Sequence, residues 1–143
     1  MLLYLITDGK FHKIGITNRS IQARIKQLQT GNPYELKLIK VVNCGSEKHA
    51  QEMERFYHNK YYEYRMQGEW FDFKKLKPIN INDIIIMFNI FSDAFIYSQY
   101  KKINHEIKKI TPKKITEKNK EKYLKEKDEL IKKKIQLLKH NIP

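Results

Sequence analysis

The first half of the chain carries short apolar segments of the length of β-strands. Residues 1–6 are a nearly continuous apolar run, Asp8-Gly9 is a strong tight-turn signal, and residues 11–17 form a second segment, so the chain is predicted to open with a β-hairpin. Residues 35–43 are rich in Leu, Ile and Val and predict a third strand. Gly15 is unusual inside a strand, and it indicates a bulge or the close approach of another group to the backbone.

Two helices are predicted from apolar residues at helical spacing. Ser20 is a suitable N-cap for a helix over residues 21–30, and Ser46 is one for a second helix that Gly68 ends. The aromatic segment 69–73 follows, and we expect Trp70 to lie in the core rather than to serve as a platform for nucleobases. These elements predict an α/β fold of the α+β type, in which a small three-stranded antiparallel sheet is flanked by helices.

One carboxylate lies in the apolar face of the second helix. On a helical wheel Glu54 falls between Ala50 and Tyr57 on one side and His58 on the other, whereas Glu63 points elsewhere. A carboxylate in an inward face needs a proton, a cation or a metal, because burying it without one is very costly. On the helix alone, a structural ion pair is the simpler interpretation of Glu54.

The charge of the chain is strongly positive and unevenly distributed. The net charge is +13, and residues 101–143 contribute 15 Lys against 6 acidic residues, whereas residues 78–100 contain no Lys or Arg. Such a balance favours a polyanionic partner, most simply nucleic acid. Together with Pro78 it predicts a domain over residues 1–77 and a helical, lysine-rich extension over residues 78–143, with helices near residues 84–96 and 117–139.

Cysteine usage and hydropathy exclude several other classes of protein. The single Cys44 excludes an intrachain disulfide framework and a cysteine-rich zinc site. The N-terminus lacks the basic and long apolar regions of a signal peptide, and the apolar segment 84–96 is interrupted by Asn89, Ser92 and Asp93. We therefore expect an intracellular protein, cytoplasmic or nuclear, that is neither secreted nor inserted in a membrane. The sequence leaves the oligomeric state open.

The order of these features resembles the GIY-YIG nuclease superfamily, and most closely its T5orf172 and Mug113 branch, over roughly residues 1–73. Leu2-Leu3-Tyr4 stands where that family has GIY, and Lys13-Ile14-Gly15 stands where it has YIG, with lysine in place of the second tyrosine. The family's helix arginine falls on Arg24 and its metal-binding glutamate on Glu54. The pairing of Glu54 with His58 and the closing segment 68–71 also resemble this branch.

The resemblance implies a metal-dependent DNA endonuclease that hydrolyses phosphodiester bonds. It implies that Glu54 binds Mg²⁺, or Mn²⁺, as the one protein carboxylate in a shell completed by phosphate and water. Arg24 would hold the phosphate with two donors. Tyr4 would activate the water, and either Lys13 or the metal would lower the pKa of its hydroxyl; alternatively, Lys13 would itself be the base. Gly15 and His58 would support these four residues.

DNA contacts are expected from basic residues outside this group: Arg19, Lys26, Lys101, Lys102, Lys108, Lys109, Lys113 and Lys114. Two alternatives to the enzyme remain open. One is a non-catalytic nucleic-acid-binding module on the same fold, which a direct Arg24–Glu54 salt bridge without room for a metal would favour. The other is an interaction protein that assembles through its C-terminal helices.

Overall fold

A computed structural model of the chain describes residues 1–110, 122, 125–130, 132–134, 136 and 140. The described chain divides into two compact units, residues 1–92 and 93–143. The first unit includes a helix that the sequence-based division at Pro78 assigned to the extension. The predicted helix over residues 117–139 lies mostly outside the described residues.

The sheet of the first unit consists of four antiparallel strands within the described residues, in the order β3-β1-β2-β4. These strands are β1 (Leu2–Thr7), β2 (His12–Thr17), β3 (Lys37–Asn43) and β4 (Trp70–Phe71). The prediction of three strands missed β4, which is two residues long and pairs only with the start of β2. β1 is a continuous apolar run because it is an inner strand, and its residues 3–6 are fully buried.

The predicted hairpin is confirmed, and its turn is fixed by side chains. Gly9 adopts φ +94°, which a residue with a side chain rarely adopts. The Asp8 carboxylate accepts hydrogen bonds from the backbone N–H groups of Lys10 and Phe11, at 2.9 and 2.7 Å. Local Asp and Gly chemistry therefore sets the register in which β1 and β2 pair.

Helices cover both faces of the sheet. Helix α1 (Ile21–Gln29) is capped by Ser20 and packs on Tyr4 and Ile6. Helix α2 (Glu47–Lys60) is capped by Ser46 as predicted, and it contacts β1 and β2. The cluster that α1 forms with Tyr4 and Ile6 contains no residue of α2, and side chains alternate along a strand, so we place α2 on the opposite face of the sheet.

The predicted end of α2 at Gly68 is wrong, because the helix ends at Lys60. Tyr61 leaves the helical conformation, with φ −107° and ψ 20°, and a 3-10 turn over Tyr62–Tyr64 follows. The turn lets the chain reverse, and the ring centroid of Phe73 then lies 5.2 Å from that of Tyr61. Packing of the closing aromatic segment, rather than a helix-stop residue, decides this boundary.

The apolar segment beyond Pro78 forms two helices instead of the one predicted. Helix α3 (Ile81–Phe91) is capped by Asn80 and belongs to the first unit, and α4 (Ala94–Ile110) belongs to the second. Asp93 causes the break, since its carboxylate accepts from the N–H groups of Phe95 and Ile96 at the start of α4. In the described part of the chain, no single helix is both long and apolar enough to cross a membrane; only α3 and α4 taken together, across their break, reach that length and composition.

Candidate functional site

The candidate site is built on the part of the β2 edge that β4 does not cover. β4 pairs with His12 and Lys13 alone, so the following residues of β2 are open on that side. Here β2 contains Gly15, which lies directly opposite Tyr4 of β1. An uncovered strand edge presents backbone groups that other elements or ligands can bind.

Helix α2 contacts this open edge through two side chains one turn apart. His58 Nε2 donates to the carbonyl of Ile14 at 2.9 Å, and the Glu54 carboxylate accepts a hydrogen bond from the backbone of Ile16. Ile14 and Ile16 are two residues apart, so their backbone groups point to the same side of the strand. The spacing of Glu54 and His58 on α2 thus matches the spacing of backbone groups on β2, and it places the Glu54 carboxylate beside Gly15.

The Glu54 carboxylate is only half-buried, and its environment disfavours a negative charge. Burial raises the pKa of Glu54 above its ordinary value, and the nearby carboxylate of Glu69 raises it further, whereas His58 and Lys13 act in the opposite direction. Among the described residues Glu54 forms no ion pair, so the Arg24–Glu54 salt bridge considered from the sequence is not formed. A cation could therefore bind beside this carboxylate.

Gly15 is required by the tyrosine that lies across from it. A Cβ atom at position 15 would stand 2.5 Å from the hydroxyl oxygen of Tyr4 and 2.8 Å from its Cζ, closer than real Cβ contacts. The close approach to the backbone that the sequence indicated is therefore the Tyr4 ring. The contact fixes the Tyr4 hydroxyl against the middle of β2.

Arg24 reaches the same point from α1. Its Nε donates to the Tyr4 hydroxyl at 3.3 Å, and its Nη1 donates to Gln27 Oε1 at 2.8 Å. Arg24 also lines an open cleft of about 300 Å³, and Arg19 and Thr17 contribute to the same cleft. Two guanidinium groups in one cleft are suited to bind a phosphate.

The ionisation of Tyr4 is governed by burial and by Arg24. Burial raises the pKa of the Tyr4 hydroxyl; the hydrogen bond and the charge of Arg24 lower it, whereas the carboxylates of Glu69 and Glu54 raise it again. The interaction of Lys13 with Tyr4 that is expected from the sequence stays a prediction. Lys13 stands opposite Ile6 in the sheet, and its ammonium group forms an ion pair with Glu69.

Lys13 is buried and forms an ion pair with Glu69. Its Nζ also lies 6.0 Å from the ring centroid of Trp70, the residue that pairs with Lys13 in the sheet. Glu69 acts on Lys13, Glu54 and Tyr4 together, and the sequence reasoning did not select it. Its position directly before Trp70, within the segment that resembles the nuclease family, was the available signal.

The remaining predicted DNA contacts are not among the residues that line the cleft of Arg24. Lys26 is exposed on α1, where it lines a shallow depression that is separate from the cleft of Arg24. Four lysines are exposed on α4, in the second unit: Lys101, Lys102, Lys108 and Lys109. Lys113 and Lys114 lie outside the described residues.

The donor set at Glu54 is compatible with a hard divalent cation. In the described part of the chain, no three His, Cys, Asp or Glu side chains come together as a metal site. Mg²⁺ is commonly held by one or two protein carboxylates and keeps several waters, so Glu54 with its raised pKa, near a second carboxylate, fits such an ion. Soft or thiolate-binding metals find no matching ligands at this site, since the single Cys44 is buried elsewhere.

The first part of the chain matches the model of a known protein family. The family model described as the T5orf172 domain matches residues 1–92. This range coincides with the first compact unit of the structure, and it contains every residue of the site described above. No curated protein and no solved structure matches the chain.

Proposed function

This chain belongs to the T5orf172 domain family, and from that premise we propose that it is a metal-dependent endonuclease acting on DNA. Membership is consistent with a nuclease-like or nucleic-acid-binding module. The observation that supports catalysis is the meeting of three groups at Gly15: the Tyr4 hydroxyl, the Arg24 guanidinium bonded to it, and the Glu54 carboxylate on the adjoining backbone. Phosphodiester hydrolysis needs groups of these three kinds.

Arg24 and Arg19 are the proposed phosphate ligands. Both line the cleft of about 300 Å³, and the hydrogen bond from Arg24 Nε to Tyr4 orients the guanidinium. A guanidinium held in this way can donate two parallel hydrogen bonds to a phosphate and stabilise the charge that grows on it. Arg24 would then act in catalysis, and Arg19 mainly in binding.

Glu54 is the proposed holder of Mg²⁺ or Mn²⁺. When bound, such an ion neutralises charge on the phosphate and on the leaving oxygen. On the protein side, its binding would offset the carboxylate charge that raises the pKa of Tyr4. Glu54 and Tyr4 are thereby coupled although they come from opposite faces of the sheet.

Tyr4 is the proposed proton acceptor, and Lys13 is the alternative. Burial raises the pKa of the Tyr4 hydroxyl and Arg24 opposes that rise, whereas the Lys13 ammonium group is engaged in an ion pair with Glu69. We propose that Glu69 positions Lys13 beside the site. Full burial of Tyr4 favours the second candidate function, a module that binds nucleic acid without cleaving it.

The proposal is tested by incubating the purified full chain with supercoiled plasmid and Mg²⁺, with and without a chelator. We expect nicking that the chelator abolishes and that Glu54→Gln lowers by at least about 10²-fold. Glu63→Gln is the matched control, because Glu63 is an exposed glutamate on the 3-10 turn after α2. Plasmid binding without Mg²⁺-dependent nicking would support the binding module instead. Full activity of Glu54→Gln would place any metal elsewhere.

A further inference from the structure

A second cleft lies at the hairpin end of the sheet, and its walls are aromatic. It has a volume of about 300 Å³ and is lined by Phe11, Tyr34, Met66 and Trp70, together with polar residues of the same loops. We call it the aromatic cleft. Tyr34 is 66% exposed and Met66 is 48% exposed, so the apolar lining is open to solvent.

The loop that carries Tyr34 is held by one side chain of α1. The Gln29 amide donates to the backbone carbonyls of Asn32 and Tyr34, at 3.0 and 2.8 Å, and accepts from the N–H of Leu36 at 2.8 Å. Asn32 Oδ1 accepts from the N–H of Tyr34 at 2.9 Å. An exposed tyrosine on a backbone fixed by four hydrogen bonds can bind a ligand with little loss of entropy.

The other two walls are fixed in the same manner. The Asp8 carboxylate and the Thr7 hydroxyl bond the turn that carries Phe11. On the third side, the N–H of Met66 donates to the carbonyl of Trp70 at 2.8 Å. The aromatic cleft therefore joins three loops that are each ordered without a ligand.

Positive charge lies beside the aromatic cleft. Lys10 Nζ stands 4.9 Å from the ring centroid of Phe11. Lys13 Nζ stands 6.0 Å from the ring centroid of Trp70, but its charge is paired with Glu69, so Lys10 is the cation that a nucleic-acid strand would meet here. Phe11 lies directly before β2 and precedes Gly15 by four positions, about 13 Å at roughly 3.3 Å per residue. A nucleic-acid strand whose phosphate lies at Gly15 could thus place a nearby base in this cleft.

We propose that the aromatic cleft binds an unpaired nucleobase by stacking on Tyr34 and the rings around it. The link between this base and a scissile phosphate rests on the proposed function, whereas the binding itself does not. Aromatic side chains beside cations are the means by which proteins hold single-stranded nucleic acid without reading its sequence. A paired base is already stacked on its neighbours, so the cleft selects single-stranded or unwound segments.

The test measures binding of two labelled strands of equal length and charge, in chelator so that nothing is cleaved. One strand is oligothymidylate, and the other has the same phosphates with abasic sugars. We expect the full chain to bind oligothymidylate more tightly, and we expect Tyr34→Ala to weaken that binding at least about fivefold while leaving abasic binding unchanged. Tyr34→Phe should retain the preference, because the ring is kept. Tyr62→Ala is the matched control, since Tyr62 is 69% exposed on the 3-10 turn, outside the aromatic cleft.

Trp70 gives an independent readout, because it is the only tryptophan of the chain. Oligothymidylate should quench its emission, and the abasic strand should not. Equal affinity for the two strands, or unchanged oligothymidylate binding by Tyr34→Ala, would overturn the proposal. A chain that shows the base preference but never nicks plasmid would refute the nuclease and leave the aromatic cleft standing. Nicking without any base preference would refute base binding in the aromatic cleft and leave the proposed nuclease activity standing.

Discussion

Replacing Gly15 by alanine tests the packing on which the candidate site depends. The new methyl group would stand 2.5 Å from the Tyr4 hydroxyl oxygen and 2.8 Å from Cζ, and both distances lie below 3.0 Å, a limit that real Cβ atoms essentially never cross. Tyr4 is fully buried, so its ring cannot swing into solvent to relieve the overlap. Either the ring or strand β2 must move, and the hydrogen bond from Arg24 moves with it.

The expected loss of folding stability in Gly15→Ala follows from two opposing contributions. Overpacking a buried site costs about 1–3 kcal/mol. Alanine reduces the freedom of the unfolded chain, which returns about 0.4–1 kcal/mol. The net loss of roughly 1–2 kcal/mol should lower the melting temperature by about 4–8 °C for each kcal/mol in a unit of this size.

Thermal and urea unfolding of the full chain measure this loss. Gly31→Ala is the matched control, because a Cβ at position 31 meets no atom within 4 Å, and we expect this variant to be as stable as the wild type or up to about 1 kcal/mol more stable. In a Tyr4→Phe background Gly15→Ala should cost less, since the nearest atom is gone. A Gly15→Ala protein as stable as the wild type, with no such coupling, would refute the packing argument.

Three further predictions concern charge. Because burial raises the pKa of folded Glu54, its ionised form destabilises the fold at pH above that pKa. Near pH 7, Glu54→Gln should therefore have a higher melting temperature than the wild type, and the difference should shrink as the pH falls through that pKa. Mg²⁺ should raise the melting temperature of the wild type only. A difference in melting temperature that is independent of pH would contradict this. Arg24→Lys should keep DNA affinity and lower turnover by about 10²-fold, because charge survives but the Nε bond to Tyr4 does not; unchanged turnover would make Arg24 structural. Four lysines of α4 are exposed: Lys101, Lys102, Lys108 and Lys109. Replacing them by glutamine should reduce the slope of log affinity for duplex DNA against log salt concentration by about 0.9 for each lost phosphate contact. An identical slope would show that these lysines do not touch DNA.

Most elements of the first unit could be predicted because their signals are local. The apolar run of β1, the Asp8-Gly9 turn and the caps Ser20 and Ser46 each act within a few residues, and the structure contains all of them. Gly15 is also a local signal, since a glycine inside a strand indicates a close contact whatever supplies it. The sequence could not say that the contact is Tyr4, because that depends on the register of the hairpin.

Tertiary structure decided the features that join distant parts of the chain. Lys13 and Glu69 are 56 positions apart, and their ion pair exists because β4 adds to the edge of β2. The same pairing supplied the strand that the sequence pattern missed, and it left the next residues of β2 open to Glu54 and His58. Helical and strand periodicities report which face of an element is buried, but they do not report which element covers it. For this protein, the residue types of the site were therefore visible in the sequence, whereas their pairing, and the meeting of three loops in the aromatic cleft, were decided by tertiary structure.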